Sequence, residues 1–312
     1  MYVVIVFKTD YSGGVKKKIK EQAIKDHYRQ ADLEENIKTA FDRAGRQIKD
    51  YTDTESLDEF HIRGREATRE LAQLADLQKG MRVLDLGCGV GGPARVLATE
   101  FGCVVTGIDL VDDYCQVAEM ITQRTGLSHM VNFQQGDMTD LAFEDESFDA
   151  AWTQHTIMNI EDKTKLFDSV LRVLKPGGLF VLYEICAGSH FPPYFPVPWA
   201  GNSAMSFLLS QDDLRQCLRK RGFEKLQWRD VSSDAIKWFQ TIAKLRAASG
   251  AKPVKKPGAK SEEAKSGKKG TGPGISLLLG KTAAEKSNNI FRNLTEDRIR
   301  IVFGVYRKPG PV

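Results

Sequence analysis

An aspartate followed by a run of glycines forms the most chemically informative stretch of the sequence. Positions 83–92 read VLDLGCGVGG, an apolar strand that enters a glycine-rich turn and then a helix. Such a turn lets the backbone approach a ligand closely and presents a helix N-terminus to it. Asp85 stands two residues before the first glycine, where a carboxylate suits an ammonium group better than a pyrophosphate. The turn consists of Gly87, Cys88, Gly89 and Gly91.

Two more aspartates end or follow the next two predicted strands. Asp109 ends the second strand, where a carboxylate can accept both hydroxyls of a ribose. Asp137 follows the third strand within a Gly-Asp-Met triplet, where it can hold an adenine edge. Because the carboxyl ends of parallel strands meet at one edge of a sheet, these acids are expected to lie together. The spacing G-x-G-x-x-G from position 87 also fits a dinucleotide fingerprint, so a nicotinamide-dependent oxidoreductase is the alternative.

Candidate proton acceptors stand at the ends of the fourth and fifth predicted strands. His155 follows the fourth strand, and its unperturbed pKa of about 6.5 suits general-base work near neutral pH. The same position also suits a histidine that only binds a ligand. Tyr183 and Glu184 end the fifth strand and are second candidates for catalysis.

Strands and helices alternate along the middle of the chain. Apolar runs predict strands at 81–86, 104–109, 131–134, 148–153, 179–185, 224–231 and 300–306. Helical patterns lie between most of them, which indicates crossover connections. The predicted fold class is α/β: a doubly wound, Rossmann-like, mostly parallel seven-stranded sheet with helices on both faces.

The chain divides into an N-terminal extension and one large domain. Residues 1–70 are predicted to form a helical cap, with one charged helical stretch over 15–51. Residues 71–312 form the second unit. Within it, residues 186–210 are predicted to be an aromatic lid, because 188–201 carry four prolines and four aromatic residues. Residues 249–274 read as a flexible Lys/Gly/Pro linker.

Charge and cysteine usage limit the possible partners and compartment. The net charge of +4 comes from residues 252–270, whose seven lysines and two glutamates leave the rest of the chain near −1. A nucleic-acid partner is therefore not expected. No apolar run approaches the ~20 residues of a membrane span. The five cysteines are scattered, which predicts no metal site and a cytoplasmic location.

The landmarks described so far resemble those of the class I S-adenosylmethionine (SAM)-dependent methyltransferases. The glycine turn, Asp109, the Gly-Asp pair at 136–137, the Phe-Asp pair at 148–149 and the segment 172–178 (RVLKPGG) occur in that family's order. The resemblance covers residues 71–231. It implies SAM as cofactor and S-adenosylhomocysteine (SAH) as product. Arg63 and Arg65 precede the first strand on a predicted helix, where either one meets the SAM carboxylate or both lie on a solvated face. The other implied cofactor contacts are Asp85, Gly87, Cys88, Gly89, Gly91, Asp109, Leu110, Gly136, Asp137, Met138 and Gln154.

The string at 87–95 (GCGVGGPAR) resembles the small-molecule branch, which includes sarcosine/dimethylglycine, phosphoethanolamine, tocopherol and sterol methyltransferases. Amine N-methyltransferases of this branch carry Asp-x-x-x-His after the fourth strand, where this chain has His155 and Asn159. The acceptor atom therefore stays open among N, C, O and S, as does the oligomeric state. Expected partners are a small-molecule acceptor or, if the chain is not catalytic, SAM alone. Aromatic residues that either hold the acceptor or pack as a plug are Tyr28, Phe195, Trp199 and Trp238.

Overall fold

One mixed sheet of seven strands runs through the part of the chain that the structure describes. The structure is a computed structural model and describes residues 21–248 and 274–310, so the predicted linker lies outside it up to residue 273. The strand order is β3-β2-β1-β4-β5-β7-β6. The strands are β1 (Arg82–Leu86), β2 (Val104–Asp109), β3 (Val131–Gln135), β4 (Phe148–Gln154), β5 (Leu174–Ala187), β6 (Glu224–Asp230) and β7 (Ile299–Arg307).

Strand direction confirms the predicted doubly wound, mostly parallel sheet. The pairs β1–β2, β2–β3, β1–β4 and β4–β5 are parallel, whereas β7 runs antiparallel to both β5 and β6. Consecutive residues of a strand point to opposite faces. Val83 accordingly belongs to one buried apolar cluster and its neighbour Leu84 to another. Because both faces of the central strands are covered, most residues of β1 and β4 are buried without alternation.

Helices cover both faces of the sheet. The first cluster includes residues of α4, α5, α9 and α11, and the second includes residues of α7 and α8. None of the helices within the described residues is long and apolar enough to cross a lipid bilayer. The helices are α1 (residues 21–28), α2 (Leu33–Arg43), α3 (Glu55–Asp58), α4 (Gly64–Leu74), α5 (Gly92–Phe101), α6 (Asp112–Arg124), α7 (Lys163–Val173), α8 (Gln211–Lys220), α9 (Ser232–Ala248), α10 (Ser276–Leu279) and α11 (Ala283–Thr295).

The N-terminal helical stretch predicted over 15–51 lies outside the described residues up to residue 20, and it is interrupted within residues 21–51. Asp32 has a φ of 54° and separates α1 from α2, and Gly45 has a φ of 63° just after α2 ends. Both values lie in the left-handed region, which stops a right-handed helix. The helical periodicity predicts that Ile48 continues the apolar face, but Ile48 is buried from a non-helical segment. Leu33, Ile37 and Phe41 of α2 pack in a third cluster with residues of α6.

Candidate functional site

A cavity lies at the carboxyl ends of β1, β2 and β4. Strand order reverses between β1 and β4, and this switch point is where ligands bind in open α/β sheets. The segments before β1 close the cavity from the other side. Its walls include Ile24, Tyr28, Asp58, Phe60, His61, Asp85, Gly87, Cys88, Gly89, Asp109, Leu110, Tyr114, Gly136, Asp137, Met138, Gln154, His155, Thr156, Asn159, Ile160 and Leu278.

The glycines of the turn serve different purposes. A Cβ on Gly87 would lie 2.3 Å from Cγ2 of Thr156, so glycine allows the turn to pack against the end of β4. Gly89 has open space where its Cβ would be, and its N–H donates to Asp109 at 3.0 Å. A Cβ on Gly91 would lie 2.4 Å from Cζ of Phe133. Gly91 therefore packs beneath the turn and does not line the cavity, unlike Gly87 and Gly89.

Asp85 is a buried carboxylate with a free acceptor atom. Its residue exposure is 2%, and Oδ2 has no hydrogen-bond partner. Burial, together with the nearby charges of Asp109 and Glu59, raises the pKa of Asp85 to about 8. A carboxylate that has lost its water and gained no partner is stabilised by a cation. The group thus fits an ammonium-bearing ligand.

The Asp109 carboxylate is oriented by two backbone donors. Oδ2 accepts from the N–H of Gly89 at 3.0 Å, and Oδ1 accepts from the N–H of Val111 at 2.9 Å. Burial nevertheless raises the pKa of Asp109. Asp137 is held by Thr139, whose N–H and hydroxyl donate to it at 2.8 Å. The Asp109 carboxylate keeps acceptor capacity toward the cavity, because an ionised carboxylate offers about four lone-pair sites.

The arginines predicted to meet a carboxylate ligand do not line the cavity. The Arg63 guanidinium donates to Glu66 at 3.0 Å and to Glu70 at 2.7 Å. Arg65 donates to Glu59 at 2.9 Å. Both side chains are buried and bonded to glutamates from the segments before β1, and neither the predicted Arg63 nor Arg65 is part of the cavity lining.

His155 lines the cavity in an unusual backbone conformation. Its φ is 51°, and its ring lies 4.4 Å from that of Tyr183 and 6.1 Å from that of His61. Nε2 has no hydrogen-bond partner. Burial and the neighbouring His61 lower the pKa of His155 well below its ordinary value. The imidazole is therefore neutral near pH 7, so one of its two ring nitrogens is a hydrogen-bond acceptor.

Tyr183 and Glu184 lie behind the cavity wall. The Tyr183 hydroxyl donates to the carbonyl of Ile62 at 2.9 Å. Glu184 accepts from the backbone N–H groups of Thr156 and Ile157 at 3.2 Å, and burial raises its pKa to about 7. Neither side chain lines the cavity. The structure therefore places both residues beside His155 and outside the cavity lining, and their role as second catalytic candidates stays a prediction.

Glu184 thus bonds to the N-terminal end of a short 3-10 turn, Ile157–Asn159, and Lys163 holds this turn from its other end. Its ammonium donates to the carbonyls of Ile157 at 2.7 Å and Phe207 at 3.0 Å, and also to Ile160. Burial lowers the pKa of Lys163 to about 8. A buried anion at the N–H end and a buried cation at the carbonyl end match the polarity of this single 3-10 turn.

Asn159 connects the N-terminal helix to the predicted lid. The Tyr28 hydroxyl donates to its Oδ1 at 2.9 Å, and its Nδ2 donates to the carbonyls of Trp199 at 2.8 Å and Met205 at 3.0 Å. Tyr28 and Asn159 line the cavity. The predicted acceptor-binding aromatics Phe195, Trp199 and Trp238 do not, because they pack in or against the apolar cluster on one sheet face.

Comparison with known proteins identifies the part of the chain that carries the strand-end residues. A family model described as a methyltransferase domain matches residues 84–182. Residues 84–182 form a methyltransferase domain. The predicted resemblance to class I methyltransferases is thereby confirmed. This domain holds Asp85, Asp109, Asp137 and His155, whereas the cap residues of the cavity lie outside it.

The proteins that are similar to this chain are described as enzymes of different reactions. A sterol 24-C-methyltransferase from Aspergillus fumigatus is 32% identical over 181 residues, which are 55% of this chain. The match covers 48% of that relative, so the chain spans about half of its length. The structure of the (4+2)-cyclase SpnF is 26% identical with a TM-score of 0.59, covering 79% of this chain and 81% of its own. A Haemonchus contortus phosphoethanolamine N-methyltransferase 2 shares the fold, with 20% identity and a TM-score of 0.64. The match covers 92% of this chain and 60% of that chain.

Several cavity residues outside the methyltransferase domain were missed by sequence reasoning. His61 lies 3.0 Å from Oε2 of Glu59, and Asp58 accepts from Arg95 at 2.8 Å. Arg95 also donates to the carbonyl of Val90 at 2.7 Å, which ties the cap to the glycine turn. These cap residues follow no motif, and Leu278 comes from a helix beyond the linker. The signal in the sequence was Arg95 itself, a charge among the apolar residues 93–98 (PARVLA).

Proposed function

We propose that this chain transfers the methyl group of SAM to a small-molecule acceptor, with SAH as the second product. The observation that carries the proposal is the buried Asp85 carboxylate, whose Oδ2 lacks a partner beside the glycine turn. An ammonium group of the ligand would satisfy that atom. A pyrophosphate would be repelled by it, which disfavours a nicotinamide dinucleotide. The methyltransferase domain over residues 84–182 supports the same conclusion, as does the Haemonchus contortus structure, which is a complex with SAH.

The cavity residues fit the parts of SAM. Asp85 would pair with its ammonium group, Asp109 would accept the ribose hydroxyls, and Asp137 would hold the adenine edge beside Leu110 and Met138. When bound, SAM supplies an electrophilic methyl carbon, and the electrons of its broken S–C bond stay on sulfur. The lining residues Cys88, Gly136 and Gln154 complete the same side of the cavity.

The residues of this chain contribute alignment, water exclusion and proton transfer. Holding two reactants in line lowers an activation barrier by roughly 7–11 kcal/mol in favourable cases. Tyr28, Phe60 and Leu278 line the cavity with largely apolar surface, which would limit the access of water to the reacting groups. An acceptor that loses a proton would pass it to neutral His155. Glu184 and Lys163 hold the turn that positions this imidazole.

A second candidate function is binding of SAM without methyl transfer. The specific observation behind it is the 26% identity with a structure described as a cyclase. One fold can carry unrelated reactions, so the domain alone does not decide between the two. Transfer of the methyl group to a product distinguishes them.

The experiment is an assay with isotope-labelled SAM, a panel of small-molecule acceptors and the variant His155→Ala. The proposal expects labelled product from the wild type. It expects His155→Ala to lose about 10²–10⁴-fold in turnover, the usual contribution of a general base. SAH affinity should change far less. Equal losses in turnover and affinity would make His155 a binding residue, and SAH binding without any labelled product would favour the second candidate.

We also propose a division of the chain into two units and a cellular location for it. Residues 1–70 would act as a cap on the methyltransferase unit of residues 71–312, which is supported by the cavity contacts of Tyr28, Phe60 and His61. A cytoplasmic location is supported by the five cysteines, all of them described and all free of disulfides.

A further inference from the structure

The cavity has an acceptor side that the cofactor would not occupy. If SAM is held as proposed, the strand ends and the glycine turn form one wall. A second wall comes from Ile24 and Tyr28 of α1, Phe60 of the segment after α3, and Leu278 of α10, and His155 also lines the cavity. The ligand that contacts this second wall is inferred on the basis of the proposed function.

The polar ends of the aromatic residues on this wall are already bonded. The Tyr28 hydroxyl donates to Asn159, and the Tyr114 hydroxyl donates to the carbonyl of Tyr28 at 3.1 Å. The ring of Tyr28 lies 6.4 Å from that of Phe60 and 6.3 Å from that of Tyr114. An acceptor would thus meet ring faces and aliphatic side chains rather than free hydroxyls.

No lysine or arginine lines the cavity among the residues that the structure describes. The nearby buried cations already donate hydrogen bonds within the protein: Arg95 to Asp58, Lys163 to three carbonyls, and Arg65 to Glu59. In the adjoining groove, Lys165 is accompanied by the carboxylates Glu21, Glu161 and Asp162. A negatively charged acceptor would find carboxylates and no free cation.

Two buried side-chain atoms of the described cavity lining lack a hydrogen-bond partner: Oδ2 of Asp85 and Nε2 of His155. The ammonium group of SAM would satisfy the first. The second belongs to a neutral imidazole, and in the tautomer that carries its proton on Nδ1 this nitrogen accepts from an O–H or N–H donor and needs no charge. Asn159, which stands where amine N-methyltransferases carry a histidine, has both ends of its amide bonded.

We propose that the acceptor is an uncharged molecule with an apolar body and a hydroxyl or N–H group that donates to His155. Its body would lie against Tyr28, Phe60 and Leu278. Phosphomonoesters and diphosphates would be excluded, because no lysine or arginine among the described residues lines the cavity. Ammonium compounds would be excluded because the ammonium group of SAM would already occupy Oδ2 of Asp85, the buried carboxylate oxygen of the described lining that lacks a partner.

The test uses three probes with the same apolar body: para-hexylphenol, para-hexylphenyl phosphate and para-hexylbenzylamine. Each is titrated calorimetrically into the full chain saturated with SAH. The expected result is that the phenol binds at least about tenfold more tightly than the phosphate and the ammonium compound, since only the phenol avoids an unpaired buried charge. Equal or tighter binding of either charged probe, or no binding of the phenol, would overturn the proposal.

A gain-of-charge variant provides the matched comparison. Ile24→Lys places a cation on the acceptor wall and should shift the preference toward the phosphate probe by at least about fivefold. Leu226→Lys, at a 40% exposed position on β6, should leave the preference unchanged. If the two variants behave alike, the assigned wall is wrong. Failure of SAH to bind in the first place would instead contradict the proposed function.

Discussion

Asp85 combines two properties that a purely structural carboxylate does not need: deep burial and an unpartnered oxygen. Its pKa is raised from 3.8 to about 8, so between these values the folded chain binds a proton that the unfolded chain has lost. Stability from this group therefore falls as pH rises through that window. Such a loss of stability is typical of a carboxylate whose charge is needed for function, and an ammonium ligand would offset the loss.

Binding of SAH is therefore expected to depend on pH. The ammonium group of SAH favours ionised Asp85, so the affinity of the wild type should rise as pH increases from about 6 to about 8, with release of a proton. Asp85→Asn should bind more weakly and lose this pH dependence. Calorimetry in buffers of different ionisation enthalpy measures both quantities. Asp168→Asn, an exposed aspartate on α7, is the control. A wild-type affinity that is flat with pH would contradict the role of Asp85.

At the scale of elements, the turn at 157–159 is held between two buried charges. Glu184 bonds to the N–H groups at its start and Lys163 to the carbonyls at its end. Removing either charge leaves the other without its counterpart in a dry environment. Such losses are larger than those of exposed ion pairs.

Glu184→Leu is expected to lower the free energy of unfolding by about 3–5 kcal/mol, the usual cost of an uncompensated buried charge. Glu184→Gln keeps an acceptor oxygen and should cost about 1–2 kcal/mol. The wild-type pKa is raised from 4.5 to about 7, so its stability contribution falls as pH rises across that range. The Gln variant should lack this slope. Urea denaturation at several pH values provides the comparison, and equal costs for both variants would contradict the pairing.

The start of α5 is a second place where an element depends on one residue. A Cβ on Gly92 would lie 2.2 Å from the backbone oxygen of Asp58, so the cap approaches this helix only because the residue is glycine. Gly92→Ala should destabilise the fold by about 1–3 kcal/mol through overpacking, and should also weaken SAH binding by displacing the segment that carries His61. Gly201→Ala is the matched control, since its Cβ would meet nothing within 4 Å. Equal unfolding midpoints for the two variants would refute the contact.

At the scale of the whole molecule, local patterns predicted what is locally determined. Alternating apolar runs gave the seven strands and their doubly wound arrangement, and strand-end positions placed Asp85 and Asp109 at one edge, although their roles stay predictions. Strand position did not reveal that Glu184 faces away from the cavity. The acceptor wall was not predictable either, because Phe60 and Leu278 come from distant segments without a motif and meet only through tertiary packing.

The most direct test of the central claim is calorimetric titration of the full chain with SAH, with NAD and NADP titrated alongside. We predict that SAH binds with micromolar affinity and that NAD and NADP do not bind. We also predict at least about tenfold weaker binding by Asp109→Ala, because a hydrogen bond to a charged acceptor contributes about 1.5–3 kcal/mol. Binding of a nicotinamide dinucleotide in place of SAH would mean that the Asp85 carboxylate has been misinterpreted, and the proposed methyl transfer would be contradicted.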